Sequence, residues 1–70
     1  MEVLTKKEKA IARRFDISSK DVHVVGHNSY GTVYGLYNNY FLTEMTFNGY
    51  TKAEIYRFLL RKFIKQIGII

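Results

Sequence analysis

The chain reads as an α+β domain of order α-β-β-β-α, with two helices on one face of a three-stranded antiparallel sheet. Three observations point there. A Thr-x-x-Glu capping box stands near each end, and an amphipathic stretch follows each one. Runs of β-branched and aromatic residues fill the middle, with a two-residue turn signal between two of them. The charge divides along the same lines, because residues 21–50 contain no Lys or Arg.

The first helix is expected over about residues 5–15, from Thr5-Lys6-Lys7-Glu8 onward. Leu4, Ile11, Ala12 and Phe15 fall on one side of it; Lys6, Lys9 and Arg13 fall on another. Asp16 to Asp21 reads as a turn-rich link. Val22 to Val25 reads as a strand, and Gly26-His27-Asn28-Ser29 as the turn that ends it. Tyr30–Tyr37 and Tyr40–Phe47 read as two further strands. Asn38-Asn39 joins them as a type I′ turn, because Asn tolerates positive φ.

That turn predicts a register in which Tyr37 faces Tyr40, Leu36 faces Phe41, Tyr34 faces Thr43 and Tyr30 faces Phe47. One face then carries Tyr30, Thr32, Tyr34, Leu36, Phe41, Thr43, Met45 and Phe47, and its bulk assigns it to the core. The other carries Gly31, Val33, Gly35, Tyr37, Tyr40, Leu42, Glu44 and Thr46, and is expected to stay open. The second helix is expected over about residues 52–67, from Thr51-Lys52-Ala53-Glu54, with Gly68 at its C-terminal cap. Ile55, Tyr56, Leu59, Leu60, Phe63, Ile64 and Ile67 cover a broad half of it. Arg57, Arg61, Lys62 and Lys65 lie opposite, with Phe58 among them.

Seventy residues make one domain, spanning 1–70. A core this small nets only about 3–5 kcal/mol, so a partner subunit is a natural support. Without Cys there is neither a disulfide framework nor a thiolate metal site. His23 and His27 are the only imidazoles. In a strand they sit ~13 Å apart, too far to share one zinc. Asp21 and Glu44 show no sign of meeting as an acid–base pair, and Gly26, Gly31 and Gly35 match no phosphate loop. No catalytic residue, cofactor or metal is therefore expected, and the chain does not read as an enzyme. The N-terminus has no apolar signal-peptide core, and Ile67-Gly68-Ile69-Ile70 is too short to span a bilayer, so a cytoplasmic location is expected.

Eleven bases against six acids give a net charge of +5. Residues 1–20 hold six of the bases and residues 51–70 hold five. The candidate phosphate-contact residues are Lys6, Lys9, Arg13, Arg57, Arg61 and Lys65; such a charge run equally serves as a solvated face. The candidate partner-contact residues are Val33, Tyr37, Tyr40 and Leu42 on the open face, with Phe58 amid the bases of the second helix.

The inferred element order resembles the double-stranded-RNA-binding domain, whose second helix begins with phosphate-gripping lysines; Lys52 occupies that place here, and Ala53 and Tyr56 stand where others would be. Thr51-Lys52-Ala53-Glu54-Ile55-Tyr56-Arg57-Phe58-Leu59 also looks like the helix start of the arm-type DNA-binding domains of phage integrases, which lay a three-stranded sheet in the major groove. Both are analogies of topology.

Two functions are expected from these residues. One is a small accessory, inhibitor or adaptor protein that contacts a protein or nucleoprotein partner through the open sheet face, with a homodimer through that face as one form. The Tyr-rich, Cys-free composition resembles small accessory proteins of phages and mobile elements. The alternative is a nucleic-acid-binding module that uses the basic faces of its helices.

Overall fold

The structure, a computed structural model, describes residues 4–68. The elements are α1 (Lys6–Arg14), a short 3-10 turn (Ser19–Asp21), β1 (Val22–Asn28), β2 (Gly31–Asn38), β3 (Tyr40–Phe47) and α2 (Lys52–Ile67). The strands form one antiparallel sheet in the order β1-β2-β3. This is the expected α+β arrangement of two helices and an open three-stranded sheet. Ile69 and Ile70, the end of the apolar tail, lie outside the described residues.

Both helices start where their capping boxes place them. Thr5 Oγ1 accepts from the Glu8 amide at 3.2 Å, and Glu8 Oε1 accepts from the Thr5 amide at 2.8 Å. Thr51 and Glu54 repeat the exchange at 3.3 and 3.0 Å. Each box satisfies amides that the first helical turn cannot pair. Gly68 closes α2 in the left-handed region at φ 68°.

The core lies between α2 and the sheet. Leu36, Ile55, Leu59, Leu60 and Ile64 are fully enclosed, with Ala12, Ile17, Val22, Phe47 and Phe63 around them. α1 packs alongside α2 and is fixed to it at both ends. Near its start, Arg61 Nε donates to Glu8 Oε2 at 2.8 Å and Nη2 to Oε1 at 3.4 Å. Near its end, Phe15 meets Phe63 edge to face with centroids 5.5 Å apart. Asn38 ties the β2–β3 turn to the same place, donating from Nδ2 to the carbonyl oxygens of Phe15 and Asp16.

The sheet departs from expectation in three ways. First, β1 runs on to Asn28, and the turn falls at Ser29-Tyr30 rather than over Gly26–Ser29. A bulge between Val24 and Gly26 absorbs one residue and lets the strand continue. Asn28 Oδ1 then accepts from the Tyr30 amide at 2.8 Å, a side-chain mimic of a backbone turn. Tyr30, expected in the core, stands 81% exposed in this turn.

Second, the β2–β3 register is two residues off. Thr32 pairs with Phe47, Tyr34 with Met45 and Leu36 with Thr43. A slip of two by itself changes no side chain's face, so Thr32, Tyr34, Leu36, Thr43, Met45 and Phe47 stay on the expected one, because strand side chains alternate with period two. Third, a bulge at Leu42 corrects the count near the turn, where Tyr37 pairs with Phe41 and Asn38 with Tyr40. Asn39 alone carries the reversal, at φ 59°. The bulge exchanges faces: Leu42, expected on the open side, packs against the core, and Phe41, expected in the core, moves to the open side. Tyr40 also leaves the open face, since it alternates with Phe41 and pairs with Asn38, whose side chain reaches α1.

Candidate functional site

The sheet face away from the helices is built around Gly35. A Cβ there would meet Tyr37 Cε2 at 2.9 Å, Val25 Cγ1 at 3.0 Å and Phe41 Cε1 at 3.2 Å. The glycine is thus the floor of a small apolar cluster whose walls come from all three strands. The rings of Tyr37 and Phe41 are 5.0 Å apart, and His23 meets Tyr37 with centroids 5.7 Å apart. Tyr37 is 37% exposed and Phe41 49%, so the cluster presents area to solvent while ordering its own side chains. Val33 lies further along β2, where it pairs with Gly26 on one side and Thr46 on the other. Asn28 Nδ2 donates to Thr46 Oγ1 at 3.0 Å across the sheet. Among the described residues the sole carboxylate of this face is Glu44, and its pairing partner on β2 is Gly35.

Of the residues expected on this face, Val33 and Tyr37 are there, whereas Tyr40 and Leu42 are not. The bulge that displaces them brings in Phe41, and the β1 bulge brings in Val25. Sequence reasoning missed both, along with His23. One sequence signal was available for the site itself: a glycine inside a strand marks close approach over its backbone. Phe58 lies elsewhere, 39% exposed, in a second aromatic group with Phe47 and Tyr50 at centroid distances of 6.0 and 5.6 Å. That group continues the core outward at the start of α2.

The bases occupy the helical layer. Among the described residues Lys6, Lys9, Arg13, Arg57 and Lys65 form no ion pair, whereas Arg61 is engaged by Glu8. The Arg61 hydrogen bond, and to a smaller degree the Thr5 amide, holds the Glu8 carboxyl below its ordinary value of 4.5. The Thr51 amide and hydroxyl do the same for Glu54. Burial pushes the Tyr56 phenol above its ordinary value of 10.0. Lys62 turns away from its helix to donate from Nζ to the Glu44 carbonyl at 2.9 Å, covering part of the outer edge of β3. A groove of about 520 Å³ runs between α1 and α2, lined by Ala10, Ile11, Ile64, Lys7, Lys65 and the Glu8–Arg61 pair, with Thr5 at its end.

Among the described residues, no group of three or more His, Asp or Glu is placed to hold a metal ion, and no helix is long and apolar enough to cross a membrane. Fold and site together define a two-layer α+β module with a basic helical side and a base-free aromatic sheet face. Comparison with protein-family models, with curated proteins and with solved structures returned no match.

Proposed function

We propose that the chain is a small non-enzymatic binding module, of accessory, inhibitor or adaptor type, that engages a protein or nucleoprotein partner in the cytoplasm through the open face of its sheet. The observation that carries this reading is the Val25–Tyr37–Phe41 cluster over Gly35. These three side chains are held in place by one another on the face opposite the core, and rigid aromatic anchors of this kind carry most of the affinity at protein interfaces. Core packing gives no reason for them, since the core is complete on the other side.

The test uses Phe41→Ala and Tyr37→Ala in an affinity capture with the wild-type chain as bait and in a thermal melt. Both variants lose the captured partner while keeping a melting temperature within a few degrees of wild type. Capture that survives both substitutions rejects the face.

A second reading, phosphate contact through the helices, rests on Lys6, Lys9, Arg13, Arg57 and Lys65, which form no ion pair among the described residues. Titration of the chain with duplex DNA and duplex RNA across a salt series tests it. Affinity that collapses between ~50 and 200 mM salt supports phosphate contact, and affinity independent of salt rejects it.

A further inference from the structure

The open face carries a hydrogen-bonding pattern that is complementary to itself. His23, Gly35 and Glu44 are successive cross-strand partners, so they form one row perpendicular to the strands, with the imidazole on β1, the carboxylate on β3 and the glycine between. Rotation by 180° about an axis lying over Gly35 and parallel to the strands reverses that row and turns the face toward itself. His23 of one copy then lies over Glu44 of the other, and the reverse contact forms by symmetry. An imidazole N–H donates to a carboxylate whether the ring is charged or neutral. The Val25–Tyr37–Phe41 cluster sits at the axis and meets its own mate.

We infer that the partner of this face is a second copy of the chain, packed sheet to sheet as a two-fold dimer about that axis. The inference rests on the open face being a binding surface and names its occupant. Two further observations favour it. The face holds no Lys or Arg, so a chain of net charge +5 can meet itself there with its bases turned outward. Edge-to-edge pairing is disfavoured on both sides, because Lys62 covers part of the β3 edge and the bulge at Val25 interrupts β1. Sheets packed this way lie about 10 Å apart with strands nearly aligned. Three strands of about eight residues give a footprint of roughly 14 Å by 27 Å. That is about 380 Å² per copy, roughly half of what a standard specific interface buries, so the dimer is weak and transient, in the range of tens to hundreds of micromolar.

Sedimentation equilibrium from 20 µM to 1 mM tests this, with circular dichroism as a check on folding. Wild type is expected to dimerise. Glu44→Lys sets Lys against His23 twice, and His23→Glu sets Glu against Glu44 twice, so each single variant weakens the dimer about tenfold. An equimolar mixture of the two variants restores association, because the mixed dimer sets the introduced Glu against the introduced Lys and keeps one His23–Glu44 contact, and neither chain holds both changes. A wild-type chain that stays monomeric at 1 mM overturns the inference. So does a dimer that both single variants leave intact, or one that mixing fails to restore. A monomeric wild type whose captured partner still disappears with Phe41→Ala leaves the open face a binding surface for something else, which separates the two failures.

Discussion

Among the described residues Thr43 is the one buried polar side chain of the core, and its hydroxyl has no hydrogen-bond partner there. It lies on β3 opposite Leu36, with only 3% of its surface exposed. Thr43→Val exchanges that hydroxyl for a methyl group of nearly the same shape and keeps the β-branched form that suits a strand. An orphaned buried hydroxyl costs ~1–3 kcal/mol, and the new methyl adds at most ~0.8 kcal/mol of burial. Residual hydration of the site reduces the sum, so a gain of about 1–2 kcal/mol is expected. For a domain of this size each kcal/mol raises the melting temperature by about 4–8 °C. Thermal and urea unfolding followed by circular dichroism measure it, with an unchanged urea slope as evidence that the unfolded state is the same. A variant that is less stable than wild type, or equal to it, would refute the reasoning, because the hydroxyl would then have a partner worth as much as the methyl.

Three other perturbations have definite expected outcomes. Gly31 sits at φ 147°, and a Cβ added there would run into the Phe47 carbonyl, so Gly31→Ala combines backbone strain with a clash and should cost about 2–5 kcal/mol in urea unfolding. Asn38→Ala removes both bonds to the end of α1 and should cost about 1–2 kcal/mol, with faster amide exchange at residues 15–17 as the specific sign. The Glu8 carboxyl titrates below 4.5 in the folded chain, so its contribution is present above that pH and is lost as pH falls through the folded value. Glu8→Gln keeps the cap but removes the charge, so wild type and variant should differ by less than about 1 kcal/mol at pH 7, because water screens most of this pair, and should converge as the pH falls through the folded value.

The fold was legible because its signals are local. Thr5–Glu8 and Thr51–Glu54 announce two helix starts within four residues each, and strand alternation assigns Leu36, Met45 and Phe47 to the core even under the wrong register. The site was only half legible because its content depends on bulges. Nothing in Phe41-Leu42-Thr43 marks Leu42 as the extra residue; that follows from Leu36 having to meet Thr43 beneath α2 while Asn39 closes the turn alone. The same limit applies at Val25. A bulge is selected by tertiary packing over many residues, whereas a capping box is selected by one turn of chain.

The division of charge makes salt a discriminating variable. All eleven bases lie outside residues 21–50, so binding through the helical layer and binding through the open face are expected to respond differently to ions. Contact between the helices and a polyanion weakens as salt rises, because phosphate counterions are no longer released at a favourable concentration. Association of two +5 chains through a base-free face behaves differently. Its adverse long-range term is the repulsion between two basic layers, which lie beyond the interface on either side. With a Debye length of about 10 Å at 0.1 M salt, that repulsion is largely screened at moderate ionic strength. The apolar contacts of Val25, Tyr37 and Phe41 do not weaken with added salt. Of the contacts in the proposed dimer, only His23 against Glu44 should lose strength, and exposed pairs of that kind are worth at most about 1 kcal/mol each. Self-association should therefore hold or strengthen over the same salt range in which polyanion binding falls away.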